Sequence, residues 1–186
     1  MSRIGNTLVS VPKEVTVTVT AHSVTMKGPK GELVVIVPQG VTVKQEGDEL
    51  AAVRTRNDKK AKALHGTVVA LMKNSIVGVT KGWTKQLELS GVGYRAALTG
   101  TNLTLNVGFS HPVTVAPPAG ITFAVTDGKI VVSGIDKYLV GQTAATVRGV
   151  KPPEPYKGKG IKYTGEHIRK KAGKSAKAVG GAPGAK

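Results

Sequence analysis

Hydrophobic and polar residues alternate over residues 15–55, which is the pattern of half-buried β-strands. Turns rich in glycine and proline, such as Gly28-Pro29-Lys30-Gly31, divide this stretch into short runs. We therefore expect residues 15–55 to form an antiparallel sheet. After the run that begins at Val15, strands are predicted at 33–37, 41–43 and 50–53.

A helical pattern follows this stretch, because apolar residues recur at intervals of three and four. Asn57 or Asp58 is a suitable N-cap, since a short polar side chain there can accept a hydrogen bond from the first turn. The helix should end near Gly78. Its apolar face comprises Leu64, Val68, Leu71 and Met72.

The same order of elements returns after Trp83. Asp127-Gly128 is a hairpin signal, and Asp136 is a suitable cap for a second helix that carries Leu139, Val140, Thr143 and Val147. Strands are predicted around Leu87 and Leu89, around Ala97, and at 103–107, 113–115, 121–125 and 130–132.

The two cycles align with each other at an offset of about 77 to 80 residues, which indicates an internal duplication. In this alignment Gly40 matches Gly120, Asp58 matches Asp136, Val69 matches Val147 and Lys73 matches Lys151. Two small units that merely share turn chemistry are the alternative. The predicted fold class is α+β: two tandem, duplicated two-layer domains, each an antiparallel-rich sheet covered by one helix, plus a basic C-terminal extension.

The predicted boundaries follow from this repeat and from the change in composition after residue 150. Each domain is close to the lower size limit for an independent core, so the two should be joined closely through Lys81-Gly82. The boundaries are an N-terminal arm at 1–14, a first domain at 15–82, a second domain at 83–150, a basic extension at 151–175 and a flexible tail at 176–186.

Charge indicates the kind of partner. The 186 residues carry a net charge of +16, and residues 151–186, with ten lysines and arginines against two glutamates, hold +8 of it. Such asymmetry is typical of chains that bind nucleic acid or an anionic membrane surface. A membrane-binding helix would need bulky apolar residues on one face, which the extension lacks, so we expect no membrane partner.

Other classes of function receive little support. The chain has no cysteine, and its four histidines, His22, His65, His111 and His167, are not spaced as metal ligands. No nucleophile, paired carboxylates or oriented histidine is visible, so we expect no catalytic residue, no metal, no cofactor and no small-molecule substrate. The sequence shows no secretory signal and no run long enough to span a membrane, and we expect a cytoplasmic protein.

Three short motifs have simpler explanations than their best-known functions. Gly91-Val92-Gly93-Tyr94-Arg95-Ala96 fits a dinucleotide-binding loop, but the segment after it is too short for a helix, so a bend between strands is favoured. Gly28-Pro29-Lys30-Gly31 fits the G-x-x-G loop of KH domains but lies between strands, where Lys27 and Lys30 could touch phosphate from a hairpin tip. Pro152 to Pro155 fits a P-x-x-P ligand, although the surrounding lysines favour a phosphate surface at least as well.

The stretch from Pro153 to Tyr163, with Arg169-Lys170-Lys171 behind it, resembles the signature of the large-subunit ribosomal protein six family. Ser2-Arg3-Ile4-Gly5, Gly31-Glu32-Leu33 and 89–95 are also similar to that family. The resemblance implies two tandem α+β domains and direct binding to large-subunit ribosomal RNA, chiefly through the second domain and its extension, near the base of the factor-recruiting stalk and the translation-factor site. Neighbouring large-subunit ribosomal proteins are then expected partners of the first domain.

We expect the cations of the extension to neutralise RNA phosphates while two glycines permit close backbone contact. Tyr156 and Tyr163 could stack on RNA or pack on the second domain; packing is favoured for Tyr156 and the question is open for Tyr163. An architectural nucleic-acid binder unconnected with ribosomes is the alternative function. The candidate RNA-binding residues are Lys151, Tyr156, Lys157, Gly158, Lys159, Gly160, Lys162, Tyr163, Arg169, Lys170, Lys171 and Lys174.

Overall fold

The computed structural model describes residues 4–126, 128–171 and 173. In the first unit the elements are β1 (Val9–Ser10), β2 (Thr16–Val19), β3 (Ser23–Gly28), β4 (Gly31–Ile36), β5 (Val41–Glu46), β6 (Glu49–Arg54) and α1 (Lys59–Thr80). In the second unit they are β7 (Trp83–Ser90), β8 (Arg95–Thr99), β9 (Asn102–Asn106), β10 (Val113–Val115), β11 (Ile121–Thr126), β12 (Lys129–Gly134), α2 (Lys137–Val150) and β13 (Gly160–Tyr163).

The two units repeat the same topology, which confirms the α+β fold class with a duplicated unit. In the first unit the sheets have the orders β1-β6-β5 and β2-β3-β4, and in the second unit they have the orders β7-β12-β11 and β8-β9-β10. Each strand of the first unit therefore has a counterpart six strands later, and α1 corresponds to α2. The second unit gains one element, because β13 pairs antiparallel with the free edge of β7.

The strands of residues 15–55 form two sheets, so the single sheet expected for this stretch is wrong. The run that begins at Val15 is also divided, into β2 and β3. Thr20 makes this division: its amide donates to the Ser23 carbonyl at 2.8 Å, and its hydroxyl accepts from the Ser23 amide at 3.1 Å. This turn, over residues 20–23, contains neither glycine nor proline. The alternation of hydrophobic and polar residues therefore gave no sign of the turn.

Both helices begin where their caps were predicted. The Asp58 carboxylate accepts from the Ala61 amide at 3.0 Å, and the Asp136 carboxylate accepts from the Tyr138 amide at 2.8 Å. The helix α1 ends at Thr80, two residues beyond Gly78, near which its end was expected. Position 78 lies inside the helix but requires glycine, because a Cβ there would overlap the carbonyl oxygen of Ile135 in the second unit.

Each unit has its own hydrophobic core between its helix and its sheets. In α1 the core side includes Val68, Val69 and Met72, whereas Leu71, assigned to the apolar face, is exposed. Both terminal segments contribute to the cores. Val9 and Val11, from the stretch assigned to an N-terminal arm, are buried in the first core, and Ile161, from the stretch assigned to the extension, is fully buried in the second.

The two units are joined closely. Ile135 packs against the first core, and the Lys137 ammonium group donates to the Asn74 side-chain carbonyl at 3.1 Å. The Trp83 indole donates to the Asn74 backbone carbonyl at 3.1 Å. Lys30, suggested above as a phosphate contact, donates instead to the Lys81 carbonyl at the junction.

Candidate nucleic-acid interface

The extension leaves the end of α2, forms a loop and returns to the second sheet as β13. Ile161 pairs with Leu89 in this sheet, and its amide donates to the Lys151 carbonyl at 2.8 Å. These two contacts fix the two ends of the loop, residues 152–159. We name this segment the extension loop.

Internal hydrogen bonds shape the extension loop. The Glu154 amide donates to the Lys159 carbonyl at 2.9 Å, and the Gly158 amide donates to the Glu154 carbonyl at 3.1 Å. Gly158 has a φ of 76° and Gly160 a φ of 146°, both in the region that favours glycine. A Cβ at Gly160 would lie 2.6 Å from the Cα of Pro153. The conformation of the loop thus accounts for both glycines, which are buried, and their contact with RNA stays a prediction.

A cleft of about 550 Å³ lies between the extension loop and the body of the second unit. Its walls combine aromatic rings with ammonium groups, so it offers both a stacking surface and positive charge. The Lys151 ammonium group also stands 4.9 Å from the ring centroid of Phe109, which is 44% exposed beside it. We name this the aromatic-lysine cleft; it is lined by Tyr94, Lys151, Pro152, Glu154, Tyr156, Lys157 and Lys159.

Two glycines leave room for the Tyr94 ring in the cleft. A Cβ at Gly91 would lie 3.0 Å from the Tyr94 ring, and one at Gly108 would lie 3.5 Å from it. The Gly91-Val92-Gly93 segment connects β7 to β8 without opening a helix. This geometry agrees with a bend between strands and not with a dinucleotide-binding loop.

The two tyrosines of the extension have different environments. Tyr156 is 56% exposed, so the prediction that it packs on the second domain is wrong. Tyr163 pairs with Leu87 in the sheet and packs against the second core. Cations flank its ring, with the Arg148 guanidinium 5.5 Å and the Lys85 ammonium group 5.1 Å from the centroid. Tyr156 is therefore the tyrosine of the extension that is available to a partner.

An ion pair fastens the segment after β13 to α2. The Arg148 guanidinium donates to both carboxylate oxygens of Glu166, at 3.1 and 2.6 Å, and the Tyr163 amide donates to the same carboxylate at 2.9 Å. The hydrogen bond from Arg148 lowers the pKa of Glu166, and the same bond raises the pKa of Arg148. The bidentate geometry is typical of arginine–carboxylate pairs. The hydrogen bonds to Glu166 from Arg148 and from the Tyr163 amide fix the position of the turn after β13.

Lys162 and Lys170 belong to a second basic surface next to this ion pair. A cavity of about 270 Å³ is lined by Lys157, Lys162, His167 and Lys170 together with Ser90, Gly158, Glu166 and Ile168. The Lys162 ammonium group is 3.4 Å from the Glu88 carboxylate, so its charge is partly neutralised. The Lys171 amide donates to the Pro155 carbonyl at 2.8 Å and ties this segment to the extension loop. Arg169, Lys170 and Lys171 are exposed, and Lys174 lies outside the described residues.

The sequence did not reveal Tyr94, Phe109 or the pair of Arg148 and Glu166 as parts of this site. Tyr94 and Phe109 are far from the extension along the chain, and only the fold of the second unit brings them near it. Arg148 lies just before the extension and Glu166 lies within it, but no pattern in the sequence indicated that the two side chains pair. The glycines on both sides of Val92 were the one available signal for Tyr94, since they marked a tight bend. Within the described ranges no group of three acidic, histidine or cysteine side chains has the arrangement of a metal site.

Comparison with known proteins gives consistent results over both units. The family model described as Ribosomal protein L6 matches residues 11–82 and 90–164. Large ribosomal subunit protein uL6 of Phenylobacterium zucineum is 53% identical over 175 residues, covering 94% of this chain and 99% of the relative. The protein of the same name from Staphylococcus carnosus is 51% identical over 178 residues, covering 95% of this chain and 100% of the relative. That of Thermosynechococcus vestitus is 48% identical over 186 residues, covering 95% and 100%.

Proposed function

The chain belongs to the ribosomal protein L6 family, and on that premise we propose that it binds large-subunit ribosomal RNA directly through the aromatic-lysine cleft and the basic surface beside it. Family membership makes it a structural, non-enzymatic protein of the large ribosomal subunit. This membership confirms the family resemblance, the non-enzymatic class and the ribosomal location expected from the sequence.

One observation supports the proposed RNA contact most strongly. The cleft places the exposed ring of Tyr156 and the partly buried ring of Tyr94 next to Lys151, Lys157 and Lys159. The lysines neutralise phosphates, while the exposed ring stacks on a ribose or an unpaired base. Phosphate contacts do not read sequence, so specificity comes from the shape of the RNA that fits the cleft.

Charge substitution tests this proposal more cleanly than truncation. Deleting residues 151–186 would remove β13 and the buried Ile161, and the second core would lose a strand. The double variant Lys157→Gln/Lys159→Gln leaves the core intact because both side chains are exposed. Filter binding to a large-subunit ribosomal RNA transcript measures the association constant Kobs at several salt concentrations. For the double variant, the slope of log Kobs against log salt should be smaller in magnitude by about 1.5. The control is Lys13→Gln/Lys44→Gln, which removes the same charge from exposed positions of the first unit. A wild-type slope for the cleft variant would contradict the proposal.

We also propose that the cleft faces RNA near the base of the factor-recruiting stalk and the translation-factor site. The support for this placement is the family resemblance of residues 153–163. Because the chain has no cysteine, a single cysteine at Val92, which is 94% exposed next to Tyr94, can carry a tethered iron reagent. Hydroxyl-radical cleavage of the RNA in reconstituted large subunits should then map to that region. Cleavage confined to other parts of the RNA would disprove the placement.

A further inference from the structure

A second group of cations lies on the first unit, where β6 leads into α1. Arg56, Lys59, Lys60 and Lys62 fall within seven residues, and all four side chains are exposed. We name this group the α1 basic cluster. It had no role in the sequence-based assignment, and it lies outside the extension and the aromatic-lysine cleft.

No carboxylate within residues 4–126, 128–171 and 173 forms an ion pair with the α1 basic cluster. Among the described residues, the ion pairs are Lys129–Glu88, Lys162–Glu88 and Arg148–Glu166, and all of them lie in the second unit. The one acidic residue within the cluster segment, Asp58, is engaged as the helix cap. The carboxylates of the β5–β6 hairpin lie near its turn, where Glu46 pairs with Glu49, about 15 Å along the strands from the end that leads to α1.

The positions of the lysines are unfavourable for the helix itself. The first turn of α1 contains no acidic residue, and positive charge there opposes the helix dipole. Lys59 and Lys62 are also three residues apart, so their ammonium groups repel each other on one side of the helix. Nothing in the folding of α1 therefore requires this group of charges.

The duplicated unit supports the same conclusion. At the corresponding position, α2 begins with an aspartate cap and a single lysine, Lys137. That lysine is used within the molecule, since its ammonium group donates to Asn74 and stands 4.6 Å from the centroid of Trp83. The unit can thus form its helix without a free basic cluster, and the cluster of the first copy is an addition to the common fold.

The shape and chemistry of this surface indicate a polyanion and not a protein. A concave site of about 270 Å³ next to the cluster is lined by polar groups of Gln39, Thr55, Arg56 and Lys60, with Gly40, Asp58, Ala61 and Leu64. No large hydrophobic side chain is exposed between residues 54 and 63, all of which are described. Protein interfaces usually have an apolar or aromatic centre, whereas a phosphate backbone needs only donors and positive charge.

We propose that the α1 basic cluster is a second RNA-binding surface, which contacts the phosphate backbone of a separate segment of large-subunit ribosomal RNA. The chain would then hold RNA through both of its units. The proposal rests on the ribosomal RNA partner of the proposed function, but it does not depend on the aromatic-lysine cleft.

The test is the full-length triple variant Lys59→Gln/Lys60→Gln/Lys62→Gln, measured with a large-subunit ribosomal RNA transcript over a range of salt concentrations. The slope of log Kobs against log salt should become shallower by about 2, and affinity near 0.15 M salt should fall about tenfold or more. The matched control, Lys13→Gln/Lys44→Gln/Lys81→Gln, removes the same charge from exposed positions on other parts of the first unit and should change the slope by less than half as much. Thermal unfolding checks the fold, and the triple variant should have a Tm at or above that of the wild type because it removes repulsion at the start of α1.

A triple variant with the wild-type slope, or a control that weakens binding equally, would overturn the proposal. Unchanged RNA binding combined with poor incorporation into large subunits would instead indicate an acidic protein partner and would also overturn it. The cleft variant Lys157→Gln/Lys159→Gln separates the two proposals. If only the cleft variant weakens binding, the cluster is not an RNA surface; if only the triple variant does, the cleft proposal fails and the cluster stands.

Discussion

The two units share one order of strands and one helix, yet the corresponding strands β1 and β7 differ in length and in pairing. In the first unit β1 has two residues and pairs only with β6 among the described residues. In the second unit β7 has eight residues and lies between β12 and β13. The added strand covers an edge that would otherwise be free, and it positions the extension loop. The comparison teaches that the basic segment is built onto one copy by completing its sheet.

The helices also differ in length, and here it is the first unit that has the longer element. α1 has 22 residues and α2 has 14, and α1 is the helix that contacts the junction through Gly78. The first unit therefore relies on a longer helix, while the second relies on β13 to close its core. Three changes test this difference.

Replacement of Ile161 by alanine should have the largest effect on stability. The side chain is fully buried in the second core, so its loss should lower the free energy of unfolding by about 3 kcal/mol. Urea denaturation of the full chain measures this change. Ile36→Ala removes the same atoms from a strand position that is 76% exposed and should cost less than about 0.5 kcal/mol. Equal effects of the two variants would show that the extension is not part of the second core.

Alanine at Gly78 should destabilise the junction by about 2 kcal/mol, although alanine normally stabilises a helix interior. The added Cβ would overlap the backbone oxygen of Ile135, which cannot move without shifting the second unit. The control is Gly141→Ala in α2, where a Cβ meets no atom within 4 Å. This substitution should raise the free energy of unfolding by about 0.5 to 1 kcal/mol, because alanine favours a helix interior over glycine. Thermal unfolding should give Tm changes of opposite sign, and a rise in Tm for both variants would contradict the tight junction.

The smallest expected effect comes from the ion pair between Arg148 and Glu166. Glu166→Gln should cost about 1 kcal/mol at pH 7, because the bidentate pair is only partly buried. The pKa of Glu166 is lowered in the folded chain from a reference value of 4.5, so its contribution is complete above that value and disappears as the pH falls through the folded pKa. The difference in unfolding free energy between wild type and variant should therefore shrink as the pH is lowered from 7 toward 3. A difference that stays constant over this range would show that the charge of Glu166 is not involved.

Local features of the fold were predictable because they depend on neighbouring residues. Asp58 and Asp136 cap the two helices since a short carboxylate reaches the amides of the next turn. Strands β7 to β12 of the second unit were found because alternation and glycine turns mark them, whereas β13 was not predicted, since its residues were assigned to the basic extension. The turn at Thr20 was missed because a hydroxyl replaces glycine there, and Leu71 was misassigned because periodicity alone did not show how much of α1 faces the core.

The candidate site was predictable in its charge but not in its shape. The concentration of lysines in residues 151–171 is visible in the sequence, and many of these side chains are exposed as expected. The different environments of Tyr156 and Tyr163 were not predictable, because both lie in similar basic surroundings along the chain. Only the register of β13 against β7 places Tyr163 in the sheet and leaves Tyr156 on the loop.

The sequence by itself determined the duplication, the capped helices, the excess of positive charge and the family, since each depends on residue type and spacing. The tertiary structure alone decided that the start of the chain and the extension complete the two cores and that Gly78 and Gly160 are required by close packing. It also decided that Tyr94 joins the lysines of the extension in one cleft, with Phe109 beside Lys151. These features arise from contacts between residues distant along the chain, and such contacts are fixed by strand register and by the space between packed elements.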